Sequence, residues 1–206
     1  MVKINKLLVS VLSIMIYSCA PMIHNKDKFI VKVDANINEL RTNGYYYTLD
    51  STSKYGTNSI MARILFKEGY FKELGIINPN LDNQYFKKKC SEIQSNALKN
   101  LECMIDNYDY FFKIKTNFLN RNSSVWGWGG TQIKGNSIKI QYYYNRFGDY
   151  YLIEEEGRII NDHSFIIYSK YDYRNGRKEN LNVKYFFKEY FVTKVIDFKP
   201  DIHFLI

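Results

Sequence analysis

Residues 126–144 read Trp-Gly-Trp-Gly-Gly-Thr-Gln-Ile-Lys-Gly-Asn-Ser-Ile-Lys-Ile-Gln-Tyr-Tyr-Tyr. Two alternating runs flank Gly135-Asn136, a dipeptide suited to the two-residue turn of a hairpin, so the stretch predicts two antiparallel strands. With that turn, Ile133 faces Ile138, Thr131 faces Ile140, Gly129 faces Tyr142 and Gly127 faces Tyr144. Large side chains are set against small ones on this face, which is expected to be buried. The opposite face is polar near the turn, at Gln132, Lys134, Ser137 and Lys139. Further out it presents Trp128 opposite Tyr143 and Trp126 opposite Asn145.

Similar signals recur on both sides. Arg41–Leu49 is rich in tyrosine and threonine and predicts a strand, followed by a Ser/Thr/Gly loop over Asp50–Asn58. A second hairpin is expected from Ile60–Phe66 and Tyr70–Gly75 about Lys67-Glu68-Gly69, where glycine supplies the positive φ. Tyr108–Ile114 has strand composition, and Thr116–Ser124 reads as a polar loop. Later runs are Tyr150–Glu155, Arg158–Ile160 and Ser164–Tyr173, separated by expected turns at Glu156-Gly157 and Asn161-Asp162-His163. The last hairpin turns at Asn175-Gly176, with Ile166, Tyr168, Val183 and Tyr185 expected on one face. Phe198–Ile206 is expected to cap the domain or add an edge strand.

One segment changes period. From Asn78 to Asn107, Phe86, Cys90, Ile93, Ala97, Leu101 and Met104 recur at helical spacing, which predicts one amphipathic helix at about 82–104. On a continuous helix, residues 13 apart are separated by about 20 Å, at roughly 1.5 Å per residue. Cys90 and Cys103 could not be bridged at that distance, so both are expected to be free thiols used as small hydrophobes. The fold expected is mainly β: an antiparallel up-and-down barrel or a strongly curved sheet, with one helical insertion.

The N-terminus reads as export machinery. Lys3 and Lys6 precede an apolar run, Leu7–Ile16, and Ile16-Tyr17-Ser18-Cys19 ends it with a small residue before a cysteine. Ten apolar residues are too short for a spanning helix, which needs about 20, and so a signal peptide is the better reading. The ending resembles the lipobox of bacterial lipoproteins. That resemblance implies a cleaved signal over residues 1–18, acylation of Cys19, a lipidated tether over residues 19–39 and a folded domain over residues 40–206. Such a protein is anchored to a membrane of the cell envelope, the outer in preference to the inner, and does not span it.

With 206 residues and 46% hydrophobic content, the chain can build a real core, which excludes disorder. Tyr and Phe number 19 and 14, but Asn, Lys and Ile are abundant too, as in proteins encoded by AT-rich codons, and the aromatic excess carries little functional weight. Residues 1–18 hold two lysines and no acid, so the formal charge of +8 falls to +6 in the cleaved protein. Export makes nucleic acid a poor partner for that charge; anionic lipid head groups or acidic envelope polymers suit it better.

A wider resemblance rests on Trp128–Gln141, Glu156–Ile167 and Phe198–Asp201. These runs resemble a group of small, uncharacterised Gram-negative lipoproteins with a lipocalin-like barrel. Where lipocalins carry Gly-x-Trp on their first strand, this chain has Gly44-Tyr45-Tyr46. The resemblance brings no catalytic or ligand residues with it.

Chemistry-bearing residues are sparse. His24, His163 and His203 have no metal-ligand spacing, and no metal or cofactor is expected. Asp162-His163-Ser164 contains the residue types of a hydrolase triad but reads as a turn, because neighbours along a chain do not converge on one proton. Glu154-Glu155-Glu156 reads as a solvated hairpin end, with Glu155 paired to Arg158. Trp126, Trp128 and Tyr143 are the candidate ligand or partner surface. The competing expectation for them is burial beneath the helix of residues 82–104, or lining of a barrel interior. The function expected is a non-enzymatic binding or interaction module for an apolar or glycan ligand or a protein partner, and the alternative is an envelope hydrolase with unidentified catalytic residues.

Overall fold

The computed structural model describes residues 22–31, 37–50, 58–79, 84–90, 96–111 and 125–190. Eight antiparallel strands in sequence order close into a barrel: β1 (Gly44–Asp50), β2 (Ser59–Leu65), β3 (Tyr70–Ile77), β4 (Trp128–Lys134), β5 (Ser137–Arg146), β6 (Asp149–Asn161), β7 (Ser164–Asp172) and β8 (Arg177–Glu189). Closure comes from β1 pairing with β8 from Gly44↔Glu189 to Tyr47↔Phe186, so the sheet has no free edge there. Cys19, the loop over residues 116–124 and the tail over residues 198–206 lie outside the described residues.

The β4–β5 hairpin has the expected register, with Ile133↔Ile138, Thr131↔Ile140 and Gly129↔Tyr142. Beyond Gly129 it departs. Gly127 takes φ 70°, Trp126 bridges to Tyr143, and Trp128 pairs with Lys72 of β3. The interior holds Tyr46, Leu65, Phe71, Ile138, Ile140, Tyr142, Ile153, Phe165, Ile167 and Tyr185. On β7 the inward residues are Phe165 and Ile167, not Ile166 and Tyr168, and a bulge between Ile167 and Ser169 resets the alternation.

Two layers cover the outside. Helix α2 (Ala97–Asp106) packs Ala97, Leu101 and Ile105 onto Tyr45, Ile60, Ala62, Ile64, Leu74 and Ile77 of β1–β3. Asn96 caps its start, accepting hydrogen bonds from the Leu98 and Lys99 amides. The stretch expected to be a tether also packs on the barrel. Ile23 bridges to Tyr150, and Gln141 accepts the Ile30 and Val31 amides while donating to the Lys28 carbonyl. Phe29 and Ile23 thereby cover Tyr143, Tyr150 and Leu152. Ile37 and Leu40 join the interior, where Ile37 donates to the Lys67 carbonyl and Arg41 to that of Asp162, closing the end that carries the β2–β3 and β6–β7 turns.

Four further sequence expectations fail, each for a physical reason. The helix at about 82–104 is not continuous: α1 (Gln84–Lys87) ends in a turn at Lys88–Lys89, and α2 begins only at Ala97. The fold-back brings Cys90 and Cys103 to a Cα separation of 6.0 Å, where they form a disulfide. Tyr108–Phe111 is helix α3, not strand, and packs Phe111 against Phe86 and the disulfide. Glu156-Gly157 is not a turn, since β6 runs on for 13 residues and Gly157 sits where a Cβ would strike the Ile166 carbonyl.

The disulfide spans 13 residues of sequence, and closing a loop of similar length is worth about 3 kcal/mol in chain entropy. Cys90→Ser with Cys103→Ser is therefore expected to lower Tm by roughly 5 °C or more, at about 2–4 °C per kcal/mol for a chain of this size. A thermal melt with and without reductant checks it; identical melts would show that the clip contributes nothing to global stability.

Candidate functional site

Strand β2 is buried on both faces, because α2 covers one and the barrel core the other. Arg63 is the one charge in that strand, and it points inward with no solvent exposure. Its guanidinium reaches Glu155 Oε2 on β6 at 2.7 Å and Glu73 Oε2 on β3 at 2.9 Å. It also lies over the rings of Tyr185 at 4.1 Å and Phe71 at 5.2 Å. Tyr142 donates its hydroxyl to Glu155 Oε1 at 3.1 Å. A charged pair this deep must be hydrogen-bonded to survive its desolvation cost. Glu155 meets that condition from both sides. Arg63 Nε has no hydrogen-bond partner among the described residues.

The surroundings bias the charges. Burial works to lower the Arg63 pKa, but Glu155 and then Glu73 overcome it and hold the guanidinium well above its usual range. Burial pushes the Glu73 carboxyl up, against the pull of Arg63. Burial and the neighbouring carboxylates push the Tyr142 phenol up as well, so it stays a donor.

Beside this network the barrel wall parts. Strands β3 and β4 share only three Cα pairs, Tyr70↔Gly130, Phe71↔Gly129 and Lys72↔Trp128, while β3 continues to Ile77. The Glu73 amide donates to the Gly127 carbonyl at 2.7 Å, and a side chain on Gly127 would run into the Glu73 carbonyl oxygen. Past this point lies a cavity of about 280 Å³, at the small end of ligand sites. Ile76, Met104, Phe111, Trp126 and Tyr144 give it apolar and aromatic walls, and Glu73 and Tyr142 connect it to the interior network. The Glu73 side chain is 15% exposed, whereas that of Glu155 is 5%.

Lys72 also lines the cavity. Its amine donates to the Trp126 carbonyl at 2.6 Å and sits 5.3 Å over the Trp128 ring. Burial lowers its pKa to about 8, against the attraction of Glu73. A lysine whose folded pKa is depressed contributes stability above its unfolded value, about 10.4, and loses it as pH falls through the folded value. Lys72→Met is therefore expected to gain on the parent by about 2 kcal/mol between about pH 10 and pH 7. Paired thermal melts across that range measure it; parallel pH profiles would contradict it.

The predicted site residues separate. Trp126 is 46% exposed and lines the cavity. Trp128 is 4% exposed, stacked on Phe66 at 5.6 Å, and Tyr143 is 1% exposed beneath Phe29. Among the described residues, Phe66 and Lys72 lie against Trp128, and Phe29 of the N-terminal segment lies against Tyr143, in place of the helix expected at about 82–104. Glu155, expected at a solvated end with Arg158, is inside the barrel, and Arg158 pairs with Ser137 and Ile166 in the ladders. Asp162-His163-Ser164 is a turn, in which Asn161 Oδ1 accepts from the His163 amide and the Ser164 hydroxyl. Among the described residues, no group of three or more His, Cys, Asp or Glu side chains is placed to hold a metal ion.

Arg63, Glu73 and Tyr142 carried no site signal in the sequence. The usable hint was Ile60–Leu65, apolar on both alternating faces except for Arg63. A strand buried on both sides must find a partner for such a charge. These features define a closed antiparallel barrel with a salt-bridged interior and an aromatic-walled side cavity. No protein-family model, curated protein or solved structure matches the chain.

Proposed function

We propose that the protein is an envelope lipoprotein, anchored through acyl chains on Cys19, whose barrel is a non-enzymatic binding module for a small, largely apolar ligand. The observation that carries the binding reading is the cavity between β3 and β4, with aromatic walls and, among the described residues, a single acid. A closed eight-strand antiparallel barrel is compatible with the lipocalin-like group that the sequence resembles. Its axis is filled by Arg63, Phe71, Phe165 and Tyr185, which favours a ligand site at the side over a central cup. The hydrolase alternative is less favoured. A glycosidase needs two carboxylates flanking the scissile bond, and of the two acids here only Glu73 lines the cavity.

Benzyl alcohol, a small neutral aromatic, tests the cavity. Binding is expected to be weak and to vanish in Ile76→Trp, which fills the mouth from a half-exposed position and leaves the melt unchanged. Binding that survives this substitution would place the ligand elsewhere.

The anchoring half of the proposal has structural support of its own. Met22, three residues after Cys19, is fixed to the β5–β6 turn by its amide on Asp149 and its carbonyl on the Tyr150 amide. Three residues reach at most roughly 11 Å. At that turn Phe147 is 91% exposed beside Arg146, an apolar and basic pairing suited to a lipid surface. Cys19→Ser is expected to move the protein from the membrane to the soluble fraction after a wash at roughly 1 M salt, where charge attraction is screened within about 3 Å. Retention of the washed mutant would contradict the lipoprotein assignment.

A further inference from the structure

Glu73 and Glu155 share one guanidinium, so the ionised network of Arg63, Glu73 and Glu155 carries one negative charge in excess. Its location can be read from the hydrogen bonds. Glu155 is held on one oxygen by Arg63 and on the other by Tyr142. Glu73 has Arg63 on Oε2, but among the described residues Oε1 accepts only the Gly75 amide, at a long 3.3 Å. The under-satisfied carboxylate oxygen therefore belongs to Glu73, the one acid that lines the cavity among the described residues.

Lys72, which shares the cavity, is attracted to Glu73 but directs its amine to the Trp126 carbonyl and the Trp128 ring, and it forms no ion pair with that carboxylate among the described residues. Lys170, opposite Glu155 across the β6–β7 ladder, adds only a weaker attraction to Glu73. Trp126, Tyr142, Tyr144 and Phe111 line the same cavity as Glu73. Aromatic faces attract cations through their quadrupoles, and several such rings beside a carboxylate form the cage that selects ammonium groups.

We propose that the ligand of this cavity is an organic cation: an ammonium group seated against Glu73 and the Trp126, Tyr142 and Tyr144 rings, with a small apolar body on Ile76, Met104 and Phe111. This rests on the reading of the cavity as a binding site and names the class of molecule it selects.

The test compares three probes of nearly one size: benzylammonium, benzyl alcohol and benzoate. They are titrated at neutral pH into protein produced from the full chain carrying Cys19→Ser. Benzylammonium is expected to bind at least roughly tenfold tighter than the alcohol, about 1.4 kcal/mol, with benzoate weakest. Glu73→Gln should reduce that preference to less than about twofold. Because that substitution disturbs the Arg63 network, Trp126→Ala serves as a second variant. Its half-exposed indole can be removed without unfolding the barrel, and part of the ammonium preference should go with it. Equal binding of ammonium and alcohol would overturn the ligand class while the cavity reading stands. Preference for benzoate would overturn it in favour of Lys72 as the recognising group. Failure of all three probes to bind would overturn the cavity reading itself.

Discussion

Arg63→Met is expected to destabilise the fold by about 3 to 5 kcal/mol, because it strands two carboxylates in a low-dielectric interior. Glu155 is 5% exposed and Glu73 15%, and neither has another cation within ion-pair distance among the described residues. At about 2–4 °C per kcal/mol, Tm should fall by roughly 10 °C. Two further measurements separate lost charge pairing from lost packing. Burial already pushes the Glu73 carboxyl up against the pull of Arg63, and removing Arg63 leaves that push unopposed, so the penalty at Glu73 is absent below the unfolded value of about 4 and grows as pH rises. The deficit should therefore be smaller at about pH 5 than at about pH 8. Replacing all three charges together, as Arg63→Met with Glu73→Gln and Glu155→Gln, should recover most of the loss, since desolvation of the ions is then avoided. A deficit independent of pH and unrelieved in the triple variant would assign Arg63 a packing role over Tyr185 and Phe71 instead.

Trp128→Ala should be nearly as costly, at about 3 to 5 kcal/mol, although its neighbour Trp126 should tolerate the same change within about 0.5 kcal/mol. The two indoles lie two residues apart with opposite fates: Trp128 is stacked on Phe66 beneath the Lys72 amine, while Trp126 stands half in solvent at the cavity. The cost at Trp128 is compounded by its place in the ladder. It forms one of only three Cα pairs between β3 and β4, the thinnest seam of the barrel. Removing its ring empties a buried site where the wall has least backbone pairing to hold it. Thermal melts of the two single variants decide the matter, and comparable losses at both positions would show that Trp126 is buried as well.

What was legible in the sequence follows from how far each signal reaches. The β4–β5 register could be read from Gly135-Asn136 outward, because turn chemistry and side-chain alternation are local, and it holds as far as Gly129↔Tyr142. It fails at Gly127, where the chain turns to meet Glu73 on a strand that ends 50 residues earlier. The apolar spacing from Phe86 to Met104 fits one helix, and periodicity alone does not show that the chain folds back near Lys89 to join Cys90 to Cys103. Glu156-Gly157 has the composition of a turn, yet the glycine is needed for close approach to β7, and the continuous strand carries Glu155 inside. The candidate site was hidden for a related reason. Arg63 is 10 residues from one partner and 92 from the other, and a buried charge is recognisable only once both are placed beside it. Of the three aromatics singled out, Trp126 alone reaches the cavity.

Binding is proposed at the parted β3–β4 wall, where the two tryptophans give a direct measurement. The chain has two indole N–H groups, one on the cavity and one sealed beneath Phe66 and Lys72. In a proton–nitrogen correlation spectrum titrated with benzylammonium, the signal that disappears in Trp126→Ala is expected to move with saturation while the Trp128 signal stays in place. A titration in which the Trp126 signal does not move, although the probe binds, would contradict the assignment of the site.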